Sequence, residues 1–180
     1  MNQDREELNI LIKKAQNGSK DAFKEIFDRL NDRFFAYTFS RTSNRDDALD
    51  ITQETFIDLW NSLKKFKYKS DQSFHGFIFT ITKRKLYHYY KNKPKVASLD
   101  EINEKYLIQP AIKQDDGYML NQINQLTSND QDIIRLRYWS QMTFNEIAAV
   151  LNTTETAAKV RHHRALQKLK INLNKNNHVI

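Results

Sequence analysis

The stretch from Thr143 to Lys170 constrains the fold of this 180-residue chain more than any other part of it. It begins with Thr143 and Glu146, which have the spacing of a helix capping box, and apolar residues follow at helical intervals. Asn152 then stands where the chain must turn, and asparagine adopts the left-handed conformation more readily than most residues. Thr154 is a suitable N-cap for a second helix. The inner face of that helix would consist of small and apolar side chains, namely Ala158, Ala165 and Leu169.

Two helices joined by so short a turn form the helix-turn-helix arrangement, whose second helix enters the major groove in DNA-binding proteins. The second helix here carries cations away from its inner face, among them Lys159 and Arg164. This pattern favours a reader of duplex DNA. The alternative is a plain helical hairpin whose basic face is only solvated.

The rest of the chain predicts an all-α protein, because helical periodicity recurs and there are only 3 glycines and 2 prolines. We expect two small helical domains joined by a flexible linker. Residues 94–118 have no sustained period, contain both prolines and are mildly acidic, so they are the predicted linker. The N-terminal domain would then span residues 1–93 and the C-terminal helix-turn-helix domain residues 119–180.

Composition narrows the functional class. A net charge of +7 and a pI near 9.5 favour a polyanionic partner such as nucleic acid. The chain has no cysteine, which excludes disulfides and cysteine-ligated metals. Neither a signal peptide nor an apolar run long enough to cross a membrane is evident, so we predict a cytoplasmic protein without membrane insertion. No catalytic constellation or glycine-rich phosphate loop is present either, and we predict neither enzymatic activity nor a cofactor.

Two surfaces of the N-terminal half stand out. A helix capped by Asn44 leaves one polar face, and a basic-aromatic loop from Phe66 to Ser73 precedes a further helix. On that further helix one side repeats Phe79, Lys83, Tyr87 and Tyr90. Rings interleaved with cations suit single-stranded nucleic acid, because bases stack on the rings while cations hold the backbone. The alternative is that this aromatic side packs on another helix of its own domain. Farther along the chain, Ser128 and Gln131 predict a second capping box.

Two separated stretches resemble one known family, the bacterial RNA polymerase sigma factors. The segment DDALDITQETFIDLW resembles their core-polymerase-binding helix, and FHGFIFTITKRKLYHYY is similar to the promoter-melting helix that follows it. The segment from Gln125 to Lys170 resembles their C-terminal promoter-reading domain. The order, spacing and short acidic linker are those of the compact extracytoplasmic-function type. The resemblance covers nearly the whole chain, from about Ala22 to Lys170.

The resemblance implies a role for each matching surface. The polar side of the helix capped by Asn44 would bind core RNA polymerase through Asp50, Gln53, Glu54, Ile57 and Asp58. The basic-aromatic loop and the helix after it would hold melted minus-ten DNA through Lys67, Tyr68, Phe79, Lys83, Arg84, Tyr87 and Tyr90. The last helix would read the duplex minus-thirty-five element through Lys159, Val160, Arg161, His163 and Arg164, with Arg161 on phosphate. The implied partners are core polymerase, promoter DNA and, in some members, an anti-sigma factor.

Several positions depart from the family pattern. Arg84 stands where asparagine is usual and His88 where aspartate is usual, which changes the details expected of minus-ten recognition. His162 replaces an inward leucine and is expected to be a half-buried, neutral histidine.

Two other functions stay open from the residues alone. One is a stand-alone helix-turn-helix transcriptional regulator, which would leave the polar face at Asp50–Glu54 without a role, and the other is an enzyme acting on nucleic acid.

Overall fold

The computed structural model describes residues 2–92 and 114–176, and within them every regular element is an α-helix. The all-α prediction is confirmed. The N-terminal half has four helices: α1 (Asn2–Gln16), α2 (Lys20–Thr42), α3 (Arg45–Leu63) and α4 (Asp71–Asn92). The C-terminal half has four more: α5 (Gln114–Asn124), α6 (Ser128–Tyr138), α7 (Phe144–Val150) and α8 (Glu155–Asn176). Residues 93–113, most of the predicted linker, lie outside the described residues. Helix α5 begins before residue 119, where the C-terminal domain was expected to start.

Short-range side-chain caps fix most of these helix starts. The Ser19 side chain accepts from the Ala22 amide, and Asn44 Oδ1 accepts from the Asp47 amide at 3.0 Å. Thr143 and Glu146 form the predicted capping box at the start of α7. Asn152 adopts the left-handed conformation with φ 50°, as expected at the turn before α8.

The capping box predicted at Ser128 was wrong. The N-cap of α6 is Thr127, whose side chain makes no capping hydrogen bond. The Gln131 side-chain amide instead donates to the carbonyl oxygens of Asn124 and Leu126, at 2.9 and 2.8 Å. Gln131 therefore connects the first turn of α6 to the end of α5 and to the loop between them.

The hydrophobic core is continuous through both halves. In the N-terminal half α1 to α4 bury an aromatic centre, in which the rings of Phe27 and Phe34 meet Phe56 edge to face. In the C-terminal half α8 contributes its predicted inner residues, and α6 and α7 cover them. Helix α4 packs along α7, and α2 meets α6, so apolar residues of the two halves form one cluster. The two helical domains that the sequence predicted are docked together in the structure.

Neither described range, 2–92 or 114–176, contains a helix with both the length and the apolarity that spanning a bilayer demands.

Candidate nucleic-acid interface

Helix α8 presents the residues predicted to read duplex DNA on its outer side. Ala158, Ala165 and Leu169 are buried, which turns the intervening side chains outward. Arg161 is half-buried, whereas the other predicted residues of this group are exposed: Lys159, Val160, His163 and Arg164. We call these five residues the outer face of α8. The helix is held by its N-cap, since Thr154 Oγ1 accepts from the Ala157 amide at 3.1 Å.

Two of these side chains have partners one helical turn away. Lys159 Nζ lies 2.7 Å from a carboxylate oxygen of Glu155, and His163 Nε2 lies 2.9 Å from Gln167 Nε2. Both pairs are solvent-exposed, so each contributes only a few tenths of a kcal/mol, about 0.2–0.5 by analogy with helix pairs. A nucleic acid could therefore displace either pair at little cost. Arg164 and Val160 are the exposed members for which no such pair is described.

His162 faces away from this surface. Its ring lies 5.6 Å from Tyr138 and 5.2 Å from Phe144, centroid to centroid. Burial, followed by the charge of Arg137, lowers the pKa of His162. The side chain is half-buried and neutral at pH 7, and it acts as part of the hydrophobic support of α8.

The seven residues predicted to hold melted DNA differ in their exposure. Five are exposed on the loop and α4: Lys67, Lys83, Arg84, Tyr87 and Tyr90. Tyr87 is 64% exposed, whereas Tyr90 is anchored through its hydroxyl, which donates to the Arg41 carbonyl at 2.6 Å. Tyr68 is half-buried and donates to Asp71 Oδ1 at 2.6 Å. The remaining residue, Phe79, is buried, and the Lys83 ammonium faces Asp132 of the C-terminal half.

Phe79 departs most from the exposed position that the sequence suggested. Its side chain is 1% exposed, and its ring packs edge to face on Tyr37 at 4.9 Å. Lys83 stays at the rim, where its ammonium lies 2.8 Å from Asp132 of α6. In this arrangement no base can stack on Phe79. The aromatic side of α4 packs on neighbouring helices at its amino-terminal end and is open at its carboxyl-terminal end.

A third surface lies on α3, where five residues predicted to bind polymerase share one side of the helix. Asp50, Gln53 and Glu54 are exposed, and Ile57 is 59% exposed although it is apolar. We call the five residues the 50–58 face.

Asp58, the last residue of the 50–58 face, connects it to α4. Its carboxylate lies 3.0 Å from Lys85 Nζ and 3.1 Å from an Arg84 guanidinium nitrogen, while Lys85 also reaches Glu54 at 3.3 Å. The hydrogen bond from Lys85 is the main reason that the pKa of Asp58 is lowered. The surfaces predicted for polymerase and for melted DNA are thus joined by one ion-pair network.

Sequence reasoning missed the charged residues between the two halves. Asp132 and Arg135 of α6 are each 1% exposed, and Glu146 of α7 receives Arg33 and His75 from the N-terminal half. A signal was present, because Asp132 and Arg135 interrupt an otherwise apolar helical stripe. Charged residues are almost never fully buried without partners, but the sequence does not show where the partners lie.

Within residues 2–92 and 114–176, no group of three or more histidine, aspartate or glutamate side chains is arranged to hold a metal ion. The surfaces described above present cations, carboxylates, aromatic rings and the apolar side chains of Ile57 and Val160.

Comparison with known proteins places two family regions on these surfaces. Sigma-70 region 2 matches residues 26–95, and Sigma-70 region 4 matches residues 123–170. The first match contains the 50–58 face and α4, and the second contains the helix-turn-helix.

Curated relatives match along most of the chain. The RNA polymerase sigma factor YlaC of Bacillus subtilis is 23% identical over 165 residues, covering 87% of this chain and 94% of YlaC. SigV of the same organism is 26% identical over 167 residues, covering 91% and 98%. The ECF RNA polymerase sigma factor BldN of Streptomyces coelicolor is 23% identical, and the match spans 88% of this chain but only 63% of BldN.

Solved structures share the fold. CnrH, in complex with the cytosolic domain of CnrY, superposes with a TM-score of 0.70 at 22% identity, covering 92% of this chain and 96% of CnrH. RpoE from Bartonella quintana, in complex with the anti-sigma factor NepR, gives a TM-score of 0.63 at 22% identity, covering 87% and 98%.

Proposed function

The chain belongs to the sigma factors of RNA polymerase, of the extracytoplasmic-function type that directs transcription initiation, and from this premise we propose how its surfaces divide the work. The 50–58 face binds core polymerase. The loop at Lys67 and Tyr68 and the open part of α4 hold melted minus-ten DNA. The outer face of α8 reads the duplex minus-thirty-five element. An anti-sigma factor is a further partner that we propose, because RpoE is seen in complex with the anti-sigma factor NepR.

The main support for this proposal is that the three surfaces lie on separate helices, namely α3, α4 and α8. The 50–58 face combines two acidic exposed residues with the apolar Ile57, whereas the outer face of α8 is cationic and carries Val160. Arginine in the major groove recognises guanine edges, and apolar side chains contact the methyl group of thymine. The opposite charges suit a protein partner for α3 and a nucleic acid for α8.

The alternative hypothesis, a stand-alone transcriptional regulator, explains only the helix-turn-helix and gives no role to the 50–58 face. A gel shift with and without core polymerase separates the two hypotheses. We expect this chain to bind promoter DNA with sequence specificity only when polymerase is present. Specific binding by the chain alone would favour the regulator.

Arg164→Ala should reduce affinity for promoter duplex by about 1–3 kcal/mol and relax specificity at one base position, because an exposed arginine on this helix can contact a base edge. Arg161→Ala is the matched control, since the same charge is lost from a half-buried residue that we assign to phosphate. Its loss should weaken binding uniformly across sequences. Holoenzyme binding to a set of single-base promoter variants measures both effects, and a uniform loss for Arg164→Ala would contradict its assignment.

Domain limits follow from the same division. We assign residues 1–93 to the N-terminal domain and start the C-terminal domain at Gln114, where α5 begins, with its end at residue 180. The linker then shortens to residues 94–113.

Sigma factors as a class are non-enzymatic initiation factors. We propose that this chain has no catalytic activity of its own and acts in the cytoplasm, where polymerase and DNA meet. A nuclease assay with magnesium tests the first of these points.

A further inference from the structure

Gln16, the last residue of α1, reaches the loop between α3 and α4, residues 64–70. Its side-chain amide nitrogen donates to the Leu63 carbonyl at 3.0 Å and to the Phe66 carbonyl at 2.7 Å. Leu63 is the last residue of α3 and is buried, and the last carbonyls of a helix have no partner within the helix. One amide group thus joins the end of α1 to the end of α3 and to the start of the loop.

Contacts with α4 hold other parts of this loop. The Phe66 ring stacks on Phe77 with the ring centroids 4.8 Å apart. Ser70 and Ser73 exchange two hydrogen bonds, in which the amide of each residue donates to the hydroxyl oxygen of the other, at 3.1 and 3.2 Å. These contacts position the Phe66 side chain and the last residue of the loop. The backbone between these two points is held at its start by Gln16.

The hydrogen bond to Phe66 fixes the peptide group that joins Phe66 to Lys67. The described chain has no cis peptide bond, and a trans peptide holds its carbonyl and its N–H on opposite sides. Because the Phe66 carbonyl points to Gln16, the Lys67 amide hydrogen points away from that side chain. No group within residues 2–92 and 114–176 accepts a hydrogen bond from the Lys67 amide, so it can donate to a ligand.

Exposed lysines lie on both sides of this amide along the loop. Lys65, Lys67 and Lys69 are exposed, and they alternate with the half-buried Phe66 and Tyr68. Protein contacts to nucleic acid are made mostly with phosphate oxygens, through cationic side chains and backbone N–H groups. The loop offers both kinds of donor at Lys67. Their direction depends on how the preceding peptide group is held.

We propose that Gln16 is a positioning residue for melted DNA. By holding the peptide group before Lys67, it directs the amide and the ammonium group of Lys67 to phosphate oxygens of the same single strand. Gln16 itself is half-buried and acts through the loop without contacting DNA. This inference rests on the proposed assignment of Lys67 and Tyr68 to melted minus-ten DNA. It adds the residue of α1 on which the geometry of that contact depends.

A double-mutant cycle tests the proposal, with the binding of a labelled oligothymidine to the holoenzyme as its measurement. Gln16→Met keeps the length of the side chain and removes both hydrogen bonds. We expect the affinity to fall about tenfold, because each of these hydrogen bonds contributes a factor of roughly two to ten. In a Lys67→Ala background the same substitution should cost less than about threefold, since the ammonium group that it positions is already absent.

The matched control is Asn17→Met, which removes an amide from the exposed neighbouring residue and should leave oligothymidine binding unchanged. Binding to core polymerase is assigned to the 50–58 face, so Gln16→Met should bind core polymerase within about twofold of the unmodified chain. Loss of oligothymidine affinity by the same factor with and without Lys67 would contradict the inference. A parallel loss of polymerase binding would show that Gln16 only supports the fold, which also contradicts it.

A second measurement needs no substitution at Gln16. Deuterium uptake at the Lys67 amide of the unmodified chain in holoenzyme should slow by roughly threefold or more when oligothymidine binds, because a hydrogen bond to the strand protects the amide. Unchanged uptake would overturn the inference. Failure of the proposed function gives a different result: Lys67→Ala would bind oligothymidine as tightly as the unmodified chain. The assignment of the loop to melted DNA would then be wrong, and the role of Gln16 with it.

Discussion

Asp132→Ala is expected to lower the free energy of unfolding by about 3–5 kcal/mol, the usual cost of removing one partner from a buried charge pair. The substitution leaves the Tyr37 hydroxyl and the Arg41 guanidinium in the boundary without their shared acceptor. Burial, followed by the charge of Asp132, raises the pKa of Tyr37 well above its usual value, so this hydroxyl remains a donor that needs an acceptor. Urea unfolding followed by circular dichroism measures the loss, and the single transition should separate into two as the halves part.

Asp130→Ala provides the matched control. Asp130 is also a buried aspartate of α6, but its partner is Lys168 of the same half, at 2.6 Å. Its loss should reduce stability without separating the halves. Energy transfer between dyes on cysteines placed at the exposed positions Asn61 and Lys170 reports the separation. Equal transfer efficiencies in Asp132→Ala and the unmodified chain would show that Asp132 does not hold the halves together.

Asp50→Ala combined with Gln53→Ala is expected to weaken binding to core polymerase by a factor of about ten or more, because the loss of about 1.4 kcal/mol, less than that of one interface hot spot, is tenfold in affinity. Both side chains are exposed and neither contributes to the core, so the fold should be unaffected. Co-purification with tagged core polymerase, followed by a titration, measures the change. DNA contacts of the outer face of α8 should remain.

The control for this pair is Asp28→Ala, which removes an exposed carboxylate from α2, where its partner is Lys24 in a surface pair. That change should leave polymerase binding within twofold of the unmodified chain, because isolated surface pairs contribute little. Equal losses in the two variants would indicate a general charge effect. Unchanged co-purification of the double variant would remove the 50–58 face from the polymerase interface.

Local signals in the sequence predicted much of this fold. Asn44 and the Thr143–Glu146 pair mark helix starts through contacts within three residues, and Asn152 marks the turn through its own backbone preference. The helical stripe of α8 predicted its buried side for the same reason, since periodicity records burial along one element. The outward position of Lys159 and Arg164 follows directly from that stripe.

The docking of the halves could not be predicted in this way. Asp132 and its partner Tyr37 are 95 positions apart, and no local pattern pairs them. Phe79 illustrates the difficulty, because its spacing with Lys83 and Tyr87 describes a second face of α4 without showing what covers it. The sequence-based reading weighed DNA against a helix of the same domain. For Phe79 the structure places Tyr37 of that same domain there.

Glu146 connects the first turn of α7 to the boundary between the two halves, so separation of the halves would affect that turn. One carboxylate oxygen accepts from the Thr143 amide at 2.7 Å, and the other is held by Arg33 across the boundary. When the halves part, the carboxylate loses the contact that fixes its orientation, and the Thr143 amide becomes easier to expose to solvent. Deuterium uptake at this single amide would therefore follow the opening of the unlabelled native chain, with neither a dye nor an added cysteine.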